Sequence, residues 1–174
     1  AEFVTSDGLF LSLDLRGEIQ WASPATEQVL GWRPDQLVGR VLDDATAHEA
    51  RVHAIAGLQG TGKSTLSAQV AGIAATRGLR VVVLSIDDFY LDRAARERLG
   101  REVHPLCATR GAPGTHDVAL ACAVIDGLRA GRTVALPRFD KIADDRLPES
   151  AWPRVDAADL VLFEGWFQKV PPED

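Results

Sequence analysis

Residues 57–64 constrain this chain more than any other part of its sequence. They read Gly-Leu-Gln-Gly-Thr-Gly-Lys-Ser and complete the pattern GxxxxGK[ST]. In this pattern glycines turn backbone N–H groups toward phosphate oxygens, the lysine reaches the β and γ phosphates, and the hydroxyl is offered to Mg²⁺. We therefore expect a nucleotide phosphate site. Its predicted residues are Gly57, Gln59, Gly60, Thr61, Gly62, Lys63, Ser64 and Thr65.

The residues on either side of this loop support the motif. Val52–Ala56 has the composition of a short buried strand, and a helix is predicted to follow the loop and to end before Gly78. Apolar residues recur at helical spacing in that segment, at Leu66, Val70, Ile73 and Ala74. A glycine-rich turn that matched the pattern by chance would lack this context, so the context favours phosphate binding.

Composition sets the class of protein and of partner. The chain has 174 residues, 46% of them hydrophobic, and a formal net charge of -6. This is enough for one α/β domain of ordinary size, or for a smaller domain with an appendage. The negative charge argues against nucleic acid as the main partner. Cys107 and Cys122 lack metal-ligand spacing, and the sequence has no secretory signal and no apolar run long enough to span a membrane. We therefore expect a cytoplasmic protein that binds a small molecule.

Acidic residues follow two apolar runs. Residues 79–85 read as a buried parallel strand and lead into Asp87 and Asp88, and residues 159–165 resemble a Walker B strand that carries Glu164 near its end. The carboxyl ends of parallel strands lie at one edge of a sheet, so these acids are expected close together. Asp87 could accept the proton of a substrate hydroxyl there, and Glu164 could hold Mg²⁺ opposite Ser64. The alternatives are a helix cap at Asp87 and Asp88 and an incidental acid at Glu164. Residues 133–139 predict a further strand.

Basic residues surround a loop that is rich in glycine and proline, at residues 104–117. Such a loop suits a lid or a substrate pocket, and its arginine together with basic residues of 138–146 could bind a small carboxylate and steady phosphoryl charge. Each of these residues alone is equally expected on a solvated surface. His116 is expected to cap the following helix. The predicted substrate-binding residues are Asp88, Tyr90, Arg110, His116, Arg138, Lys141 and Arg146.

The first part of the chain has a different pattern. Two alternating segments around Arg16 and Gly17 predict a hairpin, and short helices are predicted to start at Pro24 and Pro34 and to stop at Gly31 and Gly39. Residues 13–40 resemble the first half of a PAS sensor domain, and the remainder of a PAS domain does not follow. Residues 43–51 predict a short helical connector. We expect a partial PAS-like segment at 1–46 and a P-loop domain at 47–174.

The order of motifs GLQGTGKST, LSIDDFYL, HPLCATRGAPGTHD, LPRFDKIADDR and DLVLFEGW resembles the D-glycerate 3-kinase family, which is related to uridine kinase, pantothenate kinase and phosphoribulokinase. The resemblance covers residues 52–174. It implies ATP- and Mg²⁺-dependent phosphorylation of the 3-hydroxyl of D-glycerate to 3-phosphoglycerate. It also implies that Asp87 and Lys63 are catalytic and that Ser64 and Glu164 lie on the metal side. The family continues beyond the Walker B strand, and the chain lacks methionine, so we expect a C-terminally truncated piece of a longer protein.

Three other interpretations stay open. The chain could be a PAS-containing regulatory module whose P-loop part binds nucleotide without turnover, another phosphotransferase like uridine or pantothenate kinase, or an inactive fragment. For the fold we predict a three-layer α/β domain of the P-loop NTPase type with a mostly parallel sheet. The phosphate-loop strand is expected at its centre, beside the strands that end at Asp87 and Glu164. The sequence does not predict the oligomeric state.

Overall fold

The computed structural model describes residues 11–13, 19–22, 34–47, 51–56 and 62–166. Within these ranges the helices are α1 (Pro34–Ala47), α2 (Lys63–Thr76), α3 (Arg93–Glu102) and α4 (Val118–Arg129). The strands are β1 (Leu11–Leu13), β2 (Ile19–Ala22), β3 (Val52–Ala56), β4 (Val81–Ser85), β5 (Val134–Ala135), β6 (Phe139–Asp140), β7 (Asp145–Arg146), β8 (Arg154–Val155) and β9 (Leu160–Gly165). Short 3₁₀ turns cover Ile86–Phe89, Pro105–Ala108 and Glu149–Ala151. None of the helices in the described ranges is long and apolar enough to cross a membrane.

A parallel sheet of three strands organises the molecule, in the order β3, β9, β4. This confirms an α/β fold with a parallel sheet. The prediction that the phosphate-loop strand β3 lies between the other two is wrong, because β9 occupies the centre. Five of the six residues of β9 are buried, whereas only Ile55 of β3 is. The most continuously apolar strand therefore takes the position that is covered on both faces.

Apolar residues cover both faces of this sheet. On one face, Leu160 and Leu162 of β9 pack with Val70 and Ala74 of α2 and with the buried residues of α1. On the other face, Val161 packs with residues from the 3₁₀ turn after β4, from α4 and from the segment after β5. These residues are Phe89, Val124, Leu128 and Leu136. The alternation along β9 follows from the two-residue period of a strand, and it places one helical layer on each side.

Helix α1 is longer than predicted. We expected a helix from Pro34 to stop at Gly39, but α1 continues through that glycine to Ala47. Val38, Leu42 and Ala45 recur at helical spacing and are buried against the α2 face of the sheet. Burial of such residues outweighs the cost of about 1 kcal/mol for an interior glycine. The predicted connector at 43–51 is therefore helical up to Ala47, and residues 48–50 lie outside the described residues.

Before α1, strands β1 and β2 pair in antiparallel fashion, as the predicted hairpin requires. The predicted turn at Arg16 and Gly17 and the short helix predicted from Pro24 lie outside the described residues. After α4, the predicted strand at 133–139 is wrong. Its ends form β5 and β6, which pair with β8 and β7 respectively and not with the parallel sheet. Pro137 separates them because proline has no N–H to donate to a ladder.

Candidate active site

The register of the sheet brings the carboxyl ends of three strands to one level. Glu164 of β9 is paired with Ile55 of β3 on one side and with Ser85 of β4 on the other. Chain segments that leave β3 and β4 therefore start beside Glu164. These segments are the phosphate loop, which leads to Lys63, and the 3₁₀ turn that carries Asp87 and Asp88. The sheet alone thus places the acids near the phosphate-loop lysine, as the pattern of strand tips predicts.

The phosphate loop enters helix α2 at Gly62, which precedes the first helical residue, Lys63. Gly62 has φ of 81° and ψ of 16°, a left-handed conformation that strains any residue with a Cβ atom. A glycine at this position lets the loop turn directly into the helix. The predicted phosphate-binding residues Gly57, Gln59, Gly60 and Thr61 lie outside the described residues. Their role stays a prediction.

Ser64 and Glu164 meet at the start of α2. The Ser64 Oγ donates a hydrogen bond of 3.0 Å to Oε1 of Glu164. Glu164 is buried, with only 5% of its surface exposed. A hydroxyl beside a carboxylate is an oxygen pair of the kind that Mg²⁺ uses when phosphates supply further ligands. Their donor chemistry and their contact fit a magnesium site at this position. Among the described residues, no group of three or more His, Cys, Asp or Glu side chains is arranged to hold a metal ion.

Asp87 lies in the 3₁₀ turn after β4, where its backbone N–H donates to the Oγ of Ser85 at 3.4 Å. Its carboxylate is bound by a residue far along the chain. The Nζ of Lys141 donates to Oδ2 of Asp87 at 2.7 Å. This pair joins the end of β4 to the loop between β6 and β7. A candidate base and a candidate anion-binding cation therefore stand side by side.

Asp88 points to a different partner. Its carboxylate accepts a bond of 2.7 Å from Nη1 of Arg138 and one of 3.2 Å from the backbone N–H of Phe139. Neither Asp87 nor Asp88 caps helix α3, because that cap is Asp92, which accepts from the N–H of Ala95 at 2.7 Å. The alternative interpretation of the two acids as a cap for this helix is therefore wrong. Asp88 anchors the segment that leads to β6.

A cavity of about 290 Å³ opens between the sheet edge and the loops. Three basic side chains reach it from three separate parts of the chain, namely Lys63, Arg110 and Lys141. They face the carboxylate of Asp87, which is the one acidic residue among the described lining residues. The described residues that line the cavity are Lys63, Ser85, Ile86, Asp87, Tyr90, Arg110, Gly111, Lys141, Gly165 and Trp166. An excess of positive charge around one carboxylate suits an anionic ligand that carries a hydroxyl group.

Tyr90 forms one wall of the cavity and is backed by His116. The two rings stack with centroids 4.3 Å apart and planes at 28°. Burial raises the pKa of Tyr90 to about 12, and the charge of Asp87 adds to the rise. Burial lowers the pKa of His116, which the charge of Asp87 opposes. At neutral pH both groups are therefore uncharged, and the Tyr90 hydroxyl donates a hydrogen bond to the carboxylate of Asp87.

His116 does not cap helix α4, so that prediction is wrong. Asp117 is the cap, with Oδ1 accepting from the N–H of Leu120 at 3.0 Å. The reason is local, because His116 forms an antiparallel bridge with Tyr90 and its ring lies on the tyrosine. The carboxylate one residue later then accepts from the first turn of the helix.

Arg146 lies behind the cavity wall. It donates to the carbonyl oxygen of Tyr90 from Nε at 3.0 Å and from Nη2 at 2.9 Å, and it contacts Oδ2 of Asp117 at 3.1 Å. The structure therefore brings three predicted substrate-binding residues to the cavity, which are Tyr90, Arg110 and Lys141. It places the other four around the cavity, and these are Asp88, His116, Arg138 and Arg146.

Sequence reasoning missed three residues of this region. Trp166 lines the cavity directly after β9, and its position two residues beyond Glu164 was a usable signal. Arg96 and Asp144 connect the loops that carry the cavity cations. An arginine in a charged helix gives no sequence signal that it is buried. The sequence does not distinguish Asp144 from the adjacent Asp145, because either carboxylate could pair with the arginines at this turn.

Comparisons with known proteins agree with this geometry. No model of a known protein family matches the chain. The chain is 35% identical over 130 residues to the uncharacterized kinase mug58 of Schizosaccharomyces pombe, a match that covers 69% of this chain and 47% of the relative. It is 32% identical over 126 residues to the chloroplastic D-glycerate 3-kinase of Arabidopsis thaliana, covering 66% of this chain and 27% of that protein. The chain thus spans less than half the length of these curated relatives.

A solved structure of D-glycerate 3-kinase from Cryptococcus neoformans superposes with a TM-score of 0.65 at 27% identity. This match covers 80% of the present chain and 54% of the other. The PAS-like resemblance of residues 13–40 receives no support from the comparisons.

Proposed function

This chain belongs to the P-loop kinase family related to D-glycerate 3-kinase, pantothenate kinase and uridine kinase, and on that premise we propose that it transfers the γ-phosphoryl group of ATP to the 3-hydroxyl of D-glycerate. The product is 3-phosphoglycerate. The proposal includes ATP and Mg²⁺ as cofactors and Asp87 and Lys63 as the catalytic residues. The proposal goes beyond the family membership, because it assigns one reaction and one substrate to this chain.

One observation carries the proposal. The cavity combines Lys63, the lysine of the phosphate loop, with Asp87 and with two cations that the loop itself does not need, Arg110 and Lys141. Binding of a nucleotide alone would account for Lys63. A carboxylate placed beside additional cations is what a hydroxy acid requires, since the acid needs a base near its hydroxyl and positive charge near its carboxylate.

Each residue then has a chemical task. Asp87 accepts the proton of the attacking hydroxyl as the bond from that oxygen to phosphorus forms and the bond from phosphorus to the β-γ bridging oxygen breaks. Lys63 stabilises the negative charge on the phosphoryl oxygens and the leaving phosphate. Ser64 and Glu164 would hold Mg²⁺, which when bound supplies charge neutralisation at the β and γ phosphates.

The two further cations fit a small carboxylate. The Arg110 guanidinium offers a planar pair of N–H donors, which match the two oxygens of a carboxylate. The ammonium of Lys141 is 2.7 Å from Asp87, so an anion bound there is adjacent to the candidate base. The cavity volume of about 290 Å³ is small and suits a three-carbon acid that lies against the terminal phosphate.

The test measures binding and turnover separately. Calorimetry with Mg-ATP on the folded chain should show binding that Lys63→Ala abolishes, with circular dichroism confirming that both proteins are folded. Incubation with Mg-ATP and D-glycerate should then give 3-phosphoglycerate, identified by mass spectrometry. L-glycerate, uridine and pantothenate serve as parallel substrates.

The outcomes separate the parts of the proposal. Phosphorylation of uridine or pantothenate without phosphorylation of glycerate would overturn the substrate and keep the kinase activity. Binding of Mg-ATP without turnover of any substrate would overturn the activity of this chain and keep its nucleotide site.

A further inference from the structure

Arg96 has no role in the proposed reaction and is nevertheless the largest side chain with no solvent exposure among the described residues. It lies on α3, outside the cavity lining. A buried arginine is costly unless its charge and its five N–H donors are matched by the surrounding groups. The partners of Arg96 therefore indicate what the residue holds in place.

The guanidinium of Arg96 joins three separate segments. Its Nε donates to the carbonyl oxygen of Leu91 at 3.1 Å, and its Nη1 donates to that of Ala108 at 3.3 Å. Its Nη2 donates to the carbonyl oxygen of Asp144 at 2.6 Å and lies 3.2 Å from the Asp144 carboxylate. Ala108 lies in the loop that carries Arg110, and Asp144 lies between β6 and β7. Both loops that supply cavity cations are thus fixed to one buried group.

Gly100, on the same helix, shows how closely the first of these loops approaches. A Cβ atom at Gly100 would lie 2.8 Å from the Cβ of Ala108 and 3.2 Å from its backbone nitrogen. A larger residue there would push the loop away from α3. The contact between Arg96 and Ala108 therefore belongs to a tightly docked surface.

Asp144 is the shared acid of this arrangement. It is a non-glycine residue with φ of 54°, in the left-handed region that aspartate and asparagine tolerate better than most residues. Its second carboxylate oxygen pairs with Nη1 of Arg110. Burial raises the pKa of Asp144, but the hydrogen bonds and charges of Arg110 and Arg96 lower it by more than burial raises it. The pKa of Asp144 is therefore below its ordinary value.

The connection continues to the cavity. Nη1 of Arg110 also donates to the carbonyl oxygen of Lys141 at 3.3 Å. The loop between β6 and β7 is closed by Asp140, whose Oδ1 accepts from the N–H groups of Ile142 at 2.8 Å and of Ala143 at 3.0 Å. Lys141 lies in this loop and reaches Asp87 at 2.7 Å. A displacement of Asp144 is therefore passed to both cavity cations.

We propose that Arg96 and Asp144 are positioning residues, whose ion pair fixes the β6–β7 loop and the Arg110 side chain and thereby places Arg110 and Lys141 next to Asp87. The three carbonyl oxygens satisfy donors of Arg96, and Asp144 supplies the opposite charge that a buried guanidinium needs. The placement of the cations follows from the geometry alone. Its effect on D-glycerate turnover rests on the proposed function.

The experiment observes Lys141 directly. The chain has only three lysines, Lys63, Lys141 and Lys169, so protein labelled with ¹³C at lysine Cε gives three NMR signals. Lys141→Arg identifies the Lys141 signal by its loss, and Asp87→Asn defines the position of that signal when its ion-pair partner is gone. Asp144→Asn is the test variant, because asparagine keeps the size and the tolerance of a left-handed conformation and removes only the charge.

We expect Asp144→Asn to move the Lys141 signal toward its position in Asp87→Asn and to leave the Lys63 signal in place. The matched control is Asp159→Asn, which removes the carboxylate from another ion pair, with Arg80. This pair directly precedes β4 and β9 and so lies at the opposite end of these strands from the site. Asp159→Asn should leave the Lys141 and Lys63 signals unchanged. In steady-state kinetics, Asp144→Asn should raise the KM for D-glycerate on the order of tenfold with little change in the KM for ATP.

An unchanged Lys141 signal in folded Asp144→Asn overturns the proposal. If circular dichroism shows that this variant does not fold, Arg96→Gln takes the same test, since glutamine removes the charge of Arg96, cannot reach all of its partners and adds no lysine signal. The Lys141 signal could shift in Asp144→Asn while the unaltered chain phosphorylates no glycerate. This result would support the positioning role and overturn the proposed function. The two claims can therefore fail separately.

Discussion

The candidate site has two sides that are built differently. On the side of the sheet, Ser64 and Glu164 are placed by a strand ladder and by the start of a helix, and Glu164 is buried whereas Ser64 is exposed. On the side of the loops, Arg110 and Lys141 are placed by side-chain ion pairs, and the side chain of Lys141 is 61% exposed. Backbone hydrogen bonds therefore position the residues on the sheet side, and ion pairs between side chains position those on the loop side.

The difference bears on how firmly each side is held. A parallel ladder moves as a unit, because each strand is hydrogen-bonded to its neighbour along its whole length. Exposed ion pairs contribute about 0–1 kcal/mol each and are screened by salt, so a loop held by them is easily displaced. The phosphate side is therefore expected to be rigid, and the substrate side to depend on the buried pair of Arg96 and Asp144.

The largest effect is expected at Asp87, where the two sides meet. Asp87→Asn keeps the size of the side chain and removes the group that accepts the proton of the substrate. We expect kcat for glycerate phosphorylation to fall by about 10²–10⁴, with Mg-ATP binding retained, as measured by a coupled assay and by calorimetry. Asp159→Asn is the control, and retention of full activity by Asp87→Asn would contradict the role of Asp87 as the base.

A change in the core of the sheet side should lower the stability of the whole domain. Leu162 lies on the central strand and has no solvent exposure. Leu162→Ala is expected to lower the free energy of unfolding by about 2–5 kcal/mol, because it leaves a cavity between the sheet and α2. Urea denaturation followed by circular dichroism measures this change.

Leu106→Ala is the matched control on the loop side, since Leu106 is 66% exposed. Its effect should stay within about 0.5 kcal/mol. Equal losses in the two variants would show that the loops share the core of the sheet, and the distinction between the two sides would then be wrong.

Acid should affect the loop side locally. The pKa of Asp144 in the folded protein is below its ordinary value of 3.8 because Arg110 and Arg96 outweigh the effect of burial. The pKa of Asp140 is lowered by the backbone N–H groups of Ala143 and Ile142. For such groups the stabilisation is fully present above the unfolded pKa and is lost as the pH falls through the lower, folded value.

We therefore expect hydrogen-exchange protection of residues 139–146 to fall below pH 3.8 before protection of β9 does. Asp144→Asn should show a weaker pH dependence in this hairpin, because only the contribution of Asp140 remains. Simultaneous loss of protection in the hairpin and in β9 would mean that the two sides open together.

Much of the sheet side could be predicted from the sequence. The strand at Val52–Ala56, the helix that starts at the phosphate loop and the apolar runs that become β4 and β9 each have a local pattern of adequate length. The rule for parallel strands then places Asp87 and Glu164 at the edge that holds Lys63. The catalytic and binding roles of these residues remain predictions.

The order of the strands and the loop side could not be predicted in the same way. β3 and β4 both pair with β9, a choice that depends on burial from two faces and not on any local pattern. The contact of Lys141 with Asp87 and the burial of Arg96 join residues far apart in the chain. The predictions at Gly39 and at residues 133–139 were wrong because tertiary packing and one proline outweighed local propensity.

The central position of β9 has a consequence for synthesis on the ribosome. β3 and β4 are made early, yet their hydrogen-bonding partner is a strand that emerges much later, so that Val52 must wait for Val161 and Val81 for Leu160. At about 5–20 residues per second, this wait is on the order of ten seconds. During that time two β-branched segments have unpaired edges, and newly made chains are then most exposed to aggregation and to capture by chaperones.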